Sequence, residues 1–182
     1  NGAATSWTGS GTFTAPMNSF EIDNALGVTL STTNQLPTNR IILFTGAFTN
    51  SNKITLGNGG ATTGTIQIGN TTTPTNAGVF DAAPTFNLGT GGQAISYLRT
   101  VNPRTTGFEI NPTRILASLN LDDNDATHEL SLAGGNLTIS SGAAPTLSLT
   151  NGKINLNGST ITLGLDASTA ALAGVFGATL NG

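Results

Sequence analysis

The chain has 182 residues, 24 of them Gly and 7 Pro, with no Cys, 8% charged side chains and a formal net charge of -3. A hydrophobic fraction of 37% beside so little charge excludes a disordered chain, and six scattered basic residues (Arg40, Lys53, Arg99, Arg104, Arg114 and Lys153) exclude a phosphate-binding surface for nucleic acid. The absence of Cys removes disulfides and thiolate chemistry together.

In chain order Trp7 comes first, set among Thr, Ser and Gly, and it is expected to pack on the first coil as a cap. Short apolar-polar-apolar triplets then dominate, the pattern of a half-buried strand. The first six are Phe20-Glu21-Ile22, Val28-Thr29-Leu30, Ile54-Thr55-Leu56, Ile66-Gln67-Ile68, Phe86-Asn87-Leu88 and Phe108-Glu109-Ile110. Leu119-Asn120-Leu121, Leu130-Ser131-Leu132, Leu137-Thr138-Ile139, Leu147-Ser148-Leu149, Ile154-Asn155-Leu156 and Ile161-Thr162-Leu163 follow. Many run straight into Gly or Asn, as at Leu56-Gly57-Asn58 and Ile68-Gly69-Asn70, which supply the left-handed angles of tight corners. The Thr-, Pro- and Ala-rich stretch 71–84 is expected to project as a loop. The longest apolar run, 170–178, is broken by Gly174 and Gly177 and is too short to span a bilayer as a helix.

From Leu130 onward the triplets begin at 130, 137, 147, 154 and 161, tighter than the strands of a sandwich with hairpin turns. That spacing predicts an all-β, right-handed parallel β-helix (β-solenoid) built of short strands with Gly/Asn corners. Each triplet would turn two aliphatic side chains inward and stack on its equivalent about 4.8 Å away. Rungs of roughly 20 to 25 residues would make about seven to nine coils and a rod roughly 35 to 45 Å long. A Greek-key sandwich is the competing fold. Residues 1–182 are read as one solenoid segment, and the start at Asn1 without a signal peptide as that of a piece of a longer chain.

Few residues offer chemistry. Asp122, Asp123, Asp125 and Glu129 supply hard oxygen ligands in one corner and are the candidate Ca²⁺ site, although the spacing departs from an EF-hand loop, with His128 where that loop has its Gly. No other cofactor is expected. His128 is the single histidine and no nucleophile motif accompanies it, so the chain reads as no enzyme. A polysaccharide-acting β-helix is the alternative, and Glu21, Asp23, Asp81, or Glu109 with Arg114 are its available charges. Glu21 and Glu109, each central in a triplet, are expected on the surface. Asn70, Asn136 and Asn157 stand in Asn-x-Ser/Thr sequons.

Residues 18–30 (NSFEIDNALGVTL) and 152–164 (GKINLNGSTITLG) resemble the repeats of giant Bacteroidetes surface proteins, including the gliding-motility adhesins. The resemblance covers about half the chain. It implies export by the type IX secretion system, display at the cell surface, and a structural or adhesive role. It also implies partners among other domains of the same long chain, secretion components, and surface polysaccharides or proteins.

Overall fold

The computed structural model describes residues 5–7, 17–30, 36–140, 146–164, 171–173 and 179–181. The expected fold is present: parallel strands stack into a β-solenoid, and among the described residues the only helical pieces are the 3-10 turns Ser51–Lys53 and Gly89–Gly91.

One side of the rod is an unbroken seven-stranded sheet: Phe20–Asp23, Arg40–Thr45, Gly64–Gly69, Gln93–Leu98, Ser118–Asp122, Thr146–Asn151 and Ala171–Ala173. Its register partners Phe20, Ile41, Ile66, Ile95, Leu119, Leu147 and Leu172 lie 21, 25, 29, 24, 28 and 25 residues apart. Four of these six coils keep to the expected 20 to 25 residues and two run to 29 and 28; seven strands at about 4.8 Å span about 29 Å.

After each strand of this side the chain turns onto a second side, and it crosses a third before returning. The second side carries Thr5–Trp7, Val28–Leu30, Ala47–Thr49 and Val79–Phe80 in one ladder, and Arg104–Thr105, Glu129–Ser131, Lys153–Asn155 and Thr179–Asn181 in another. The third side likewise divides, with Leu36–Thr38, Ile54–Leu56 and Thr85–Phe86 before the gap, and Ile115–Leu116, Leu137–Ile139 and Ile161–Leu163 after it. Both short sides therefore stop at the same coil while the long side runs through.

Because side chains alternate along a strand, the inward positions of the long side form two ladders. One is Phe20, Ile41, Ile66, Ile95, Leu119 and Leu147; the other is Ile22, Leu43, Ile68, Tyr97, Leu121 and Leu149, and all are buried. Phe48 packs between Phe20 and Phe80, with ring centroids 5.4 and 5.8 Å away. Corners use left-handed residues where the neighbouring coil lies close. A Cβ on Gly46 (φ 81°) would fall 1.9 Å from the Asn24 carbonyl oxygen, and one on Gly69 (φ 90°) 2.0 Å from that of Leu98.

The structure corrects two expectations. Phe108-Glu109-Ile110 is no strand: Gly107 to Ile110 forms a turn, with Phe108 outside and Glu109 inside. Residues 71–84 do not project as a whole: 71–74 are exposed, but Thr75 bridges to Thr100, and Val79–Phe80 pairs with Ala47 and Phe48. The backbone of Trp7 lies in the first strand, and its proposed capping side chain lies outside the described residues.

Candidate functional site

The acidic corner follows the strand Ser118–Asp122. Asp123 is buried, and its Oδ2 accepts the Thr100 hydroxyl at 2.7 Å. Its Oδ1 accepts the Asn124 N–H at 2.5 Å and lies 3.0 Å from Nδ1 of His128. Asp125 caps its own turn, accepting the N–H of Thr127 at 2.7 Å and its hydroxyl at 2.8 Å; these bonds hold its carboxyl below the usual carboxylate value. Glu129 accepts from Asn155 at 3.1 Å across one rung. Asp122 ends its strand, and its carbonyl takes the Arg99 N–H. Three of the four carboxyls, those of Asp123, Asp125 and Glu129, are thus engaged by separate partners. Among the described residues no three of His, Asp or Glu come together as metal ligands would.

The other charges noted in the sequence are also dispersed. Glu21 is exposed and accepts from Ser19 at 3.1 Å. Asp81 joins two coils, its Oδ2 accepting the Asn50 N–H at 2.8 Å and its Oδ1 the Ser51 N–H at 3.0 Å and hydroxyl at 2.7 Å. Of the sequon residues, Asn70 holds a local turn through Thr72, Asn136 accepts the Thr160 N–H, and Asn157 donates to the Leu132 carbonyl.

The denser polar cluster lies where the two short ladders stop. Tyr97 takes the place of an aliphatic residue in the inward ladder and brings a hydroxyl into the core, which a buried phenol must bond. That hydroxyl donates to Oε1 of Glu109 at 2.5 Å, and the Gly107 N–H reaches the same oxygen at 2.8 Å. Burial, then the Glu109 charge and this hydrogen bond, push the phenol well above its ordinary pKa, against the smaller pull of Arg104 and Arg114.

Gln93, also inward, donates to the Glu109 carbonyl at 2.6 Å and accepts from the backbone and side-chain N–H groups of Asn111 at 3.0 and 2.7 Å. Residues 107–111 are therefore held against the core by side-chain bonds where other coils use a strand. Arg104 donates to the Ala77 and Gly78 carbonyls, and Arg114 to those of Asn136 and Gly135, tying this coil to its neighbours on either side.

No protein-family model, curated protein or solved structure matches the chain.

Two depressions open at this junction. On the third side, a cavity of about 430 Å³ is lined by Phe86, Leu88, Asn111, Pro112, Thr113 and Ile115 among others. On the second side, a smaller one of about 120 Å³ has Arg104, Phe108 and Glu109 in its wall. The sequence reading missed this cluster because it took Glu109 for a surface residue. The available signal was Tyr97 itself, at a position in Ile95-Ser96-Tyr97 that other strands fill with an aliphatic residue.

Proposed function

We propose that the chain is a structural and adhesive segment of a large cell-surface protein, giving reach and stiffness rather than catalysis. The carrying observation is the unbroken seven-stranded ladder of the long side, in which each coil is bonded to the next through parallel backbone pairs. Such stacking makes a rod whose length grows with coil number, the mechanical need of a surface spacer. The Thr-, Asn- and Ser-rich, charge-poor composition and the repeat style of giant gliding adhesins support the same reading, with type IX export and the outer surface as its setting.

The test is an in-frame deletion of this segment in the cells that make the protein. Attachment or gliding should fall while the rest of the parent still reaches the surface; unchanged attachment with the parent on the surface contradicts the adhesive role. The alternative, a carbohydrate-binding or polysaccharide-acting β-helix, draws support from Arg104 and Glu109 sharing one depression.

A further inference from the structure

We propose that the depression beside Val79–Phe80 and Arg104–Thr105 binds a single sugar ring of a glycan. Four observations converge there. Glu109 is only 7% exposed, and while its Oε1 takes the Tyr97 hydroxyl and the Gly107 N–H, its Oε2 bonds to none of the described residues and is left to the depression. This oxygen is not among the buried side-chain atoms left without a partner, so solvent reaches it from the depression, where a ligand hydroxyl can replace water as its donor.

Arg104 lines the same wall. Two of its five N–H groups hold the carbonyls of Ala77 and Gly78, leaving three to donate. The two opposite charges do not pair: among the described residues the only ion pair is His128 with Asp123. An acceptor and a donor thus stand side by side, each with unused capacity.

The rim is apolar. Phe108 is 51% and Val79 52% exposed, and Phe108 is the one aromatic among the large hydrophobic residues described as exposed. The depression is small, about 120 Å³, so it takes one edge of a ring rather than enclosing a chain of rings.

A pyranose matches this set. Neighbouring hydroxyls both donate to a carboxyl and accept from a guanidinium, while the C–H face of the ring lies on an aromatic surface. A simple cation would meet Arg104, and a simple anion would meet Glu109. A small α-amino acid could satisfy both charges but offers no C–H face to Phe108. This inference rests on the adhesive reading for its choice of a glycan, but a rod with no sugar site could still be a surface segment.

The test is saturation-transfer NMR on the purified chain with the methyl glycosides of glucose, galactose, mannose and N-acetylglucosamine, and with alanine as the zwitterionic comparison. At least one glycoside should receive saturation on its ring protons. Its binding should weaken at least tenfold in Phe108→Ala and in Glu109→Gln, and stay unchanged in Leu26→Ala, whose exposed side chain lies on another coil. Circular dichroism checks that each variant is folded, and Phe108→Ala alone decides the matter if Glu109→Gln is not. Silence from all four glycosides, a signal that survives Phe108→Ala, or saturation of alanine in their place would overturn the proposal. None of these results touches the deletion test of the adhesive role.

Discussion

Tyr97 and Glu109 meet inside the solenoid, phenol to carboxyl at 2.5 Å, in the coil where both short ladders stop and the long one continues. A hydroxyl placed in an aliphatic ladder has to be bonded, and the segment that bonds it leaves the strand path to do so. The break in the side ladders and the polar cluster therefore have one cause, the polar residues Gln93 and Tyr97 on the inward face of Gln93–Leu98.

Replacing Tyr97 by Phe removes one of the two donors to Oε1 of Glu109. A hydrogen bond to a carboxyl is worth about 1.5–3 kcal/mol, and urea unfolding should show a loss of that order. The wild-type phenol, with its folded pKa raised, favours the native state fully below pH 10.0, and that contribution is lost as pH rises from there through the folded value. Because Tyr97 is the only tyrosine, its phenolate absorbance should stay absent above pH 10.0 until the chain unfolds. Phenolate appearing near its ordinary pKa in the folded protein would contradict the buried pairing.

Asp81 should make stability depend on acid. Partial desolvation raises its pKa, but the bonds from Ser51 and Asn50 outweigh this and hold it below the ordinary 3.8. A depressed carboxyl stabilises the fold above its unfolded pKa, and that contribution is lost as pH falls through the folded value. Asp81→Asn should cost about 0.5–1.5 kcal/mol at neutral pH and flatten the decline of melting temperature below pH 4, read by calorimetry across pH. An acid profile unchanged in Asp81→Asn would contradict this.

Much of the fold was legible in the sequence, for a physical reason. Ile54-Thr55-Leu56 and Leu137-Thr138-Ile139 are strands because two aliphatic side chains at period two need a core and the hydroxyl between them does not. Arg40–Thr45 escaped the triplet reading because Ile42, between the inward Ile41 and Leu43, is itself buried and hides the alternation. Phe108-Glu109-Ile110 has the right pattern and the wrong outcome. Bonding from Tyr97 and Gln93 reverses it, turning Glu109 in and Phe108 out, and such long-range polar pairing has no local signature. The carboxyls of the acidic corner are adjacent in sequence, but the rungs above and below claim two of them through Thr100 and Asn155.

Corner glycines should sort by the space around them. Gly46→Ala brings a Cβ against the Asn24 backbone and adds a left-handed penalty, so a loss of more than about 3 kcal/mol is expected. Gly135 shares a positive φ of 96° but has open space where a Cβ would stand, so Gly135→Ala should cost only the conformational term of about 1–2 kcal/mol. Equal losses in the two variants, measured by denaturant titration, would contradict the close stacking of coils.

In the core, Phe48→Ala should cost about 3–5 kcal/mol, since the ring is fully buried between Phe20 and Phe80. Phe108→Ala, on the rim of the sugar depression, should change stability by less than about 0.5 kcal/mol. A reversed order would mean that the coil stacking is misassigned.

As proposed above, this rod belongs to a long protein displayed outside the cell. That placement is tested most directly by protease shaving of intact cells, followed by peptide mapping of the released material and of the intact parent. Peptides of this chain should be released without lysis, together with further triplet-repeat peptides of the same parent. Release only after lysis, or a mature protein little longer than this chain, would contradict the proposal.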